Sequence, residues 1–245
     1  MKDLGEEQHL AAADLLALVQ DSLTRAGLSR SAADAVARNV LATERRGHRR
    51  IGLGLLPHMI EHLRCGRVSG GAAPRLTDIA PGAITVDAGG GFACPAVALG
   101  LIDLIDRARQ LGVATLAIHN AYPLASPASG FDRLAVAGLH GIAIVAGLTP
   151  CPNPNGTLRL EIAHRTHGLG ASDPRLPGAL HRTGADGGTV PPFEGPLGAP
   201  FRLSHRIIAL RADLPVPTVS PLPPVADEKA GIAVPLGLLE KIITA

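Results

Sequence analysis

Aromatic residues are nearly missing from this chain: among its 245 residues there is no Trp, one Tyr and four Phe. Its core must therefore be an Ala, Leu, Val and Ile core rich in helix, and the basic patch interleaved with aromatics that marks a nucleic-acid binder is absent. Cysteine is scarce too. Cys65, Cys94 and Cys151 are odd in number and far apart, which excludes a disulfide framework and the ligand spacing of a zinc site. Nothing at the charged N-terminus reads as a signal peptide, so a reducing cytoplasm is expected. No apolar run approaches the roughly 20 residues that span a bilayer. A net charge of +2 gives no general attraction to nucleic acid or to a membrane surface.

What the chain does contain is helical periodicity in its first quarter. Leu15, Leu16, Val19 and Leu23 share one face of a helix over residues 10–26, and Gly27 supplies the left-handed residue that ends it. Ser31 followed by Asp34 resembles a capping box, and Val36, Val40 and Leu41 continue a second helix up to Glu44. Leu56, Met59, Ile60 and Leu63 lie on a third helical face closed by Gly66. Between the second and third helices the stretch Glu44 to Arg50 holds six ionisable residues in seven positions.

Beyond residue 80 the pattern alternates. Ala83 to Val86 reads as a strand, followed by Asp87, Ala88 and the turn Gly89, Gly90, Gly91. A helix over 96–111, a strand over 113–118, a helix near 132–139 and a strand over 142–146 follow. The triple glycine does not have the Rossmann spacing and is read as a tight turn rather than a phosphate cradle. From residue 149 the text is rich in Pro, Asn and Gly. A strand is expected over 158–163, an irregular connection over 167–200, then a strand over 201–210 and a terminal Gly-Ile strand and helix from Gly231.

The junction residues Arg46, Gly47, His48 and Gly52, the strand-turn-helix-strand order that follows, and Asn120 at the end of the second strand together resemble the malate/L-lactate dehydrogenase family of LDH2 type. The resemblance covers residues 10 to about 147, and weaker matches lie at Phe201 to Leu210 and Gly231 to Ile242. It implies an α/β fold without a Rossmann domain, in which N-terminal helices and the C-terminal segment pack with a mixed sheet. The organisation implied is a helical part over 1–80, a sheet part over 81–165, a connection over 166–200 and a returning segment over 201–245. It also implies an NAD(P)-dependent oxidoreductase acting on 2-oxo or 2-hydroxy acids or cyclic imino acids. Two departures stand out. Ile51 and Pro123 occupy the places of the family's two site histidines, and the second half is shortened.

A carbonyl or imine that accepts hydride needs a proton donor of near-neutral pKa, which neither Ile51 nor Pro123 supplies. Three groups are candidates for that role. His48 matches the family by position, and its other reading is a surface histidine at a helix junction. His119 lies at a strand end, four residues before the expected position. Tyr122, the sole tyrosine, has a hydroxyl of ordinarily high pKa. Arg46 is the candidate for a substrate carboxylate, against the plain reading of a helix C-terminal cation, and Asn120 is a substrate-loop candidate whose other role is to fix a turn. NADH or NADPH is the expected cofactor if the chain is redox-active, and none otherwise. No metal is expected. A homodimer is expected, and the resemblance also allows a heterodimer with a full-length relative. The alternative reading is a redox-inactive homologue serving as a non-redox enzyme or a binding subunit.

Overall fold

A computed structural model describes residues 7–47, 49, 51–122, 128–146, 158–164, 169–171, 205–211 and 231–244. The expectation for residues 167–200 therefore lies outside them, apart from three residues of one strand. The chain opens with β1 (Glu7–Leu10) and three helices, α1 (Ala12–Arg25), α2 (Arg30–Arg45) and α3 (Leu56–Arg64). Their apolar faces meet in one cluster in which Leu15, Leu23, Val36, Leu56 and Ile60 are at most 1% exposed. The expected capping box is a misreading. α2 begins one residue after Ser29, so Ser31 already lies inside the helix, and entry is set by a tertiary bond from the Ser29 amide to the Gly70 carbonyl at 3.0 Å. Asp34 instead accepts from Gln20 Nε2 at 2.7 Å and Arg38 Nε at 2.8 Å.

A hairpin follows, β2 (Arg75–Ala80) antiparallel to β3 (Ala83–Asp87). β2 follows the Gly, Ala and Pro connection, has little apolar alternation of its own, and is exposed along nearly its whole length. β3, α4 (Ala93–Leu111) and β4 (Val113–His119) form a βαβ unit with β3 parallel to β4. α5 (Ala128–Val136), β5 (Leu139–Ala146), β6 (Leu158–His164), β7 (Leu169–Ala171) and β8 (His205–Arg211) complete a seven-stranded sheet in the order β2-β3-β4-β8-β5-β6-β7. β8 is thus inserted between β4 and β5, antiparallel to both.

Alternation along the strands sends Ile84, Val86, Leu116, Ile118, Ile207 and Ala209 to one buried face, covered by α4 and α5. α4 lies close on the sheet at Gly100, where a β-carbon would come within 2.6 Å of Leu116 Cδ1. The N-terminal helices form a further layer, α2 packing on both α4 and α5. The end of the chain returns to its beginning. β9 (Ile232–Pro235) pairs antiparallel with β1, and α6 (Leu236–Thr244) buries Leu239 and Ile242 in the helical cluster. No helix among the described residues is long and apolar enough to cross a membrane.

Candidate active site

The parallel strands β3 and β4 end side by side, and the loops beyond them are laced together. Asp87 pairs in register with His119. One Asp87 oxygen accepts the Gly89 amide at 2.8 Å and Asn120 Nδ2 at 3.1 Å. These bonds, with the charges of His119 and Arg75, hold the Asp87 carboxyl below the usual carboxylate range. Asn120 sits at φ 49°, a left-handed conformation that Asn tolerates, and its carbonyl takes the Gly90 amide at 2.8 Å. The Gly91 amide goes to the Ala88 carbonyl at 3.0 Å, and the Gly91 carbonyl takes the Tyr122 amide at 2.7 Å.

All three glycine amides therefore have protein acceptors, and a β-carbon on Gly91 would meet Ala72. The turn is a brace between two strands. It does not fit the phosphates of a dinucleotide, whose binding requires free amides facing an open cradle.

Two side chains at this end meet opposite surroundings. His119 is exposed. Tyr122 is 1% exposed and enters the helical cluster, where its hydroxyl is 2.9 Å from His62 Nδ1 and its ring packs edge-on against Phe92 with centroids 5.0 Å apart. Burial raises the Tyr122 pKa far above that of a free phenol and lowers that of His62, keeping the imidazole neutral. His62, on α3, was overlooked in the sequence. It is three residues beyond Met59 at the border of an apolar face, and a polar residue at such a border is the signal for a buried partner.

The charged junction contacts the start of α5. Arg46 is nearly enclosed, its side chain 6% exposed, and its terminal nitrogens reach Asp132 Oδ1 at 2.6 Å, the Ala42 carbonyl at 2.7 Å and the Ala128 carbonyl at 3.3 Å. It ties the end of α2 to the start of α5, and a substrate carboxylate reaches its fork only in exchange for Asp132. Beside it Asn39 Oδ1 accepts the Ser129 amide and hydroxyl, both at 3.1 Å. The structure thus brings His119 and Asn120 together with Asp87, turns Tyr122 inward to His62, and places Arg46 across the α2–α5 contact. His48 and Pro123 lie outside the described residues. Burial pushes the Cys94 thiol up to about 12, away from the thiolate form that a nucleophile needs.

The profile of the malate/L-lactate dehydrogenase family matches residues 10–159. A Delta(1)-pyrroline-2-carboxylate/Delta(1)-piperideine-2-carboxylate reductase of Pseudomonas putida is 36% identical over 143 residues, which is 58% of this chain and 42% of the relative. A (2R)-3-sulfolactate dehydrogenase (NADP(+)) of Chromohalobacter salexigens is 34% identical over 143 residues, 58% of this chain and 40% of that one. The chain thus matches about two-fifths of the length of these curated relatives. Among solved structures, delta1-piperideine-2-carboxylate reductase from Pseudomonas syringae pv. tomato superposes with a TM-score of 0.68 at 21% identity, covering 96% of this chain and 98% of the other, a likeness of fold.

Proposed function

The chain belongs to the malate/L-lactate dehydrogenase family, and we propose on that premise that it is an oxidoreductase of small carboxylate-bearing substrates. 2-Oxo or 2-hydroxy acids and cyclic imino acids are the substrate classes, with NADH or NADPH as the redox partner. Relatives named for Delta(1)-pyrroline-2-carboxylate favour the cyclic imine among these. The observation that carries the reading at the level of residues is the strand-end brace. It holds an exposed imidazole, His119, beside a carboxylate, Asp87, that is kept ionised. Reduction of C=N or C=O leaves an electron pair on the heteroatom that must take a proton, and an imidazolium delivers one at neutral pH.

In this reading His119 is the proton donor and Asp87 its counter-charge. Asn120 fixes the turn through its bond to Asp87, and Tyr122 anchors the loop in the helical cluster. Arg46 meets the substrate's carboxylate only by giving up Asp132. No described residue is assigned to the cofactor, because the glycine turn does not fit it. A homodimer remains part of the proposal, with gel filtration as its check.

Titration calorimetry of the folded chain with NADH and NADPH, followed by turnover with cyclic imino acids and 2-oxo acids, tests the whole. Micromolar cofactor binding with turnover is the expected result, and His119→Ala then lowers kcat by about 10²- to 10⁴-fold while cofactor binding persists. A folded chain that binds neither cofactor at millimolar concentration overturns the redox reading in favour of a non-redox homologue. Unchanged turnover in His119→Ala removes His119 from its role.

A further inference from the structure

Glu44, in the last turn of α2, is a buried carboxyl group that the proposed chemistry does not use. It is 6% exposed and stands where the basic junction begins. Both ends of the junction loop close on this one residue. The Glu44 carbonyl takes the amide of Gly47 at 2.8 Å, and its side-chain Oε1 takes the amide of Leu53 at 2.5 Å. Gly47, at φ +75°, makes the reversal that starts the loop. At the other end the carboxylate lies so close to Gly52 that a β-carbon there would overlap Oε1 and come within 3.0 Å of Cδ. Just beyond the loop the Gly54 amide donates back to the Arg49 carbonyl at 2.9 Å.

A seven-residue excursion is thereby pinned through the main chain and the side chain of the same glutamate. Closing a loop this way removes much of its conformational freedom. Burial pushes the Glu44 carboxyl up, and the Leu53 amide and the charge of Arg49 pull it back. The pinned loop adjoins α5, because Arg46, between Glu44 and Gly47, is the residue that grips Ala128 and Asp132 at its start.

We propose that Glu44 is a positioning residue: its side-chain oxygen, acting as an acceptor rather than as a charge, sets the shape of the junction loop and, through Arg46, the placing of the start of α5. Only the catalytic arm of the test below rests on the oxidoreductase reading.

The test is hydrogen exchange at the Leu53 amide of the full chain, with the thermal midpoint recorded as a control for folding. Glu44→Ala removes the acceptor, so Leu53 exchange should accelerate by about 10- to 100-fold, whereas Glu44→Gln, which keeps an acceptor oxygen, should restore the parent rate. Gly52→Ala supplies an independent route, since it keeps the carboxylate but displaces it, and it should reproduce the Glu44→Ala exchange pattern. In the double variant the new β-carbon enters the space the carboxylate has left, so adding Gly52→Ala to Glu44→Ala should change Leu53 exchange little. Where the parent turns over, Glu44→Ala should lower kcat more than it raises KM, and Glu44→Gln should recover it. A parent without turnover fails the oxidoreductase reading and leaves the exchange result to decide the positioning role. Unaltered Leu53 protection in Glu44→Ala, or no recovery in Glu44→Gln, overturns the proposal.

Discussion

The helical cluster and the sheet cluster are built from the same small aliphatic side chains and are closed in opposite ways. The helical one is closed by the ends of the chain: β9 returns to β1, and the Ser22 hydroxyl reaches the Ile242 carbonyl at 3.5 Å across 220 residues. The sheet is closed from within, by β8 entering between β4 and β5. Within each, burial is mostly apolar, with a few enclosed polar groups such as Ser22, Glu44, His140 and His205. The N-terminal helices are also tied to the chain beyond β4 by buried or half-buried polar crossings among the described residues, His62 to Tyr122, Asn39 to Ser129 and Arg46 to Asp132. Apolar area is non-directional and supplies most of the stability. Hydrogen bonds are directional, and here they fix how one cluster sits on the other. Substitutions in the clusters should therefore act on stability, and substitutions at the crossings on the geometry of the strand-end loops.

The largest effects should come from breaking either cluster. Phe131, fully buried between α5 and the sheet beside Gly141, should cost about 3–5 kcal/mol as Phe131→Ala. Leu15→Ala in the helical cluster should cost about 2–5 kcal/mol. Because α2 packs on both α4 and α5, each variant should unfold in urea in a single transition with the parent's slope. Two resolved transitions would show that the clusters are separate folding units.

Acid should sharpen the contrast, with an effect of similar size at its upper end. His205, fully buried on the helix-covered face of β8, has its pKa lowered from 6.5 to about 4 by burial. Between those values the unfolded chain binds more protons than the folded one, so stability rises with pH. The contribution is complete above the unfolded value and is lost as pH falls toward about 4; a shift of this size corresponds to roughly 3 kcal/mol. His62 acts in the same direction. Glu44, whose pKa is raised, acts in the opposite one, its contribution being present below the ordinary carboxyl value and lost as pH rises through the folded value. Urea midpoints measured across this range should fall on acidification in the parent. In His205→Asn, which starts from a lower plateau, the limb should flatten.

The helices were legible in the sequence because 3.6-residue periodicity is a local property. α1, α4 and α3 lie within three residues of their expected ends at each terminus. β3 and β4 were equally plain, being short apolar runs between turn residues. The position of β8 was not legible, because strand order depends on pairings between residues about 90 apart along the chain. β2 was missed since an exposed edge strand such as Arg75–Ala80 has little apolar alternation. At the site, His119 and Asn120 could be placed at a strand end from sequence alone. The inward turn of Tyr122 could not, because it depends on His62, 60 residues away on α3. Arg46 illustrates the same limit. Its chemistry suits a substrate carboxylate, and the fold supplies a carboxylate of its own in Asp132.

The smallest of these effects in stability should be the most informative about the crossings. Tyr122→Phe deletes one hydroxyl, keeps the ring against Phe92, and leaves His62 Nδ1 without that partner in the apolar seam. Removing one partner of a buried hydrogen bond costs about 1–3 kcal/mol, less than truncating Phe131 or Leu15. If the crossings position rather than stabilise, the loss should be accompanied by faster amide exchange in the strand-end loop, at Tyr122 and Gly90. The amides of β4, held by pairing to β3 and β8, should keep their parent protection. The local signature matters because a general loss of stability would lower the protection of every globally exchanging amide by the same factor, loop and strand alike. Exchange that accelerates uniformly would place the His62 to Tyr122 bond among the ordinary supports of the fold. Acceleration confined to the loop would make it the latch through which α3 holds the end of β4.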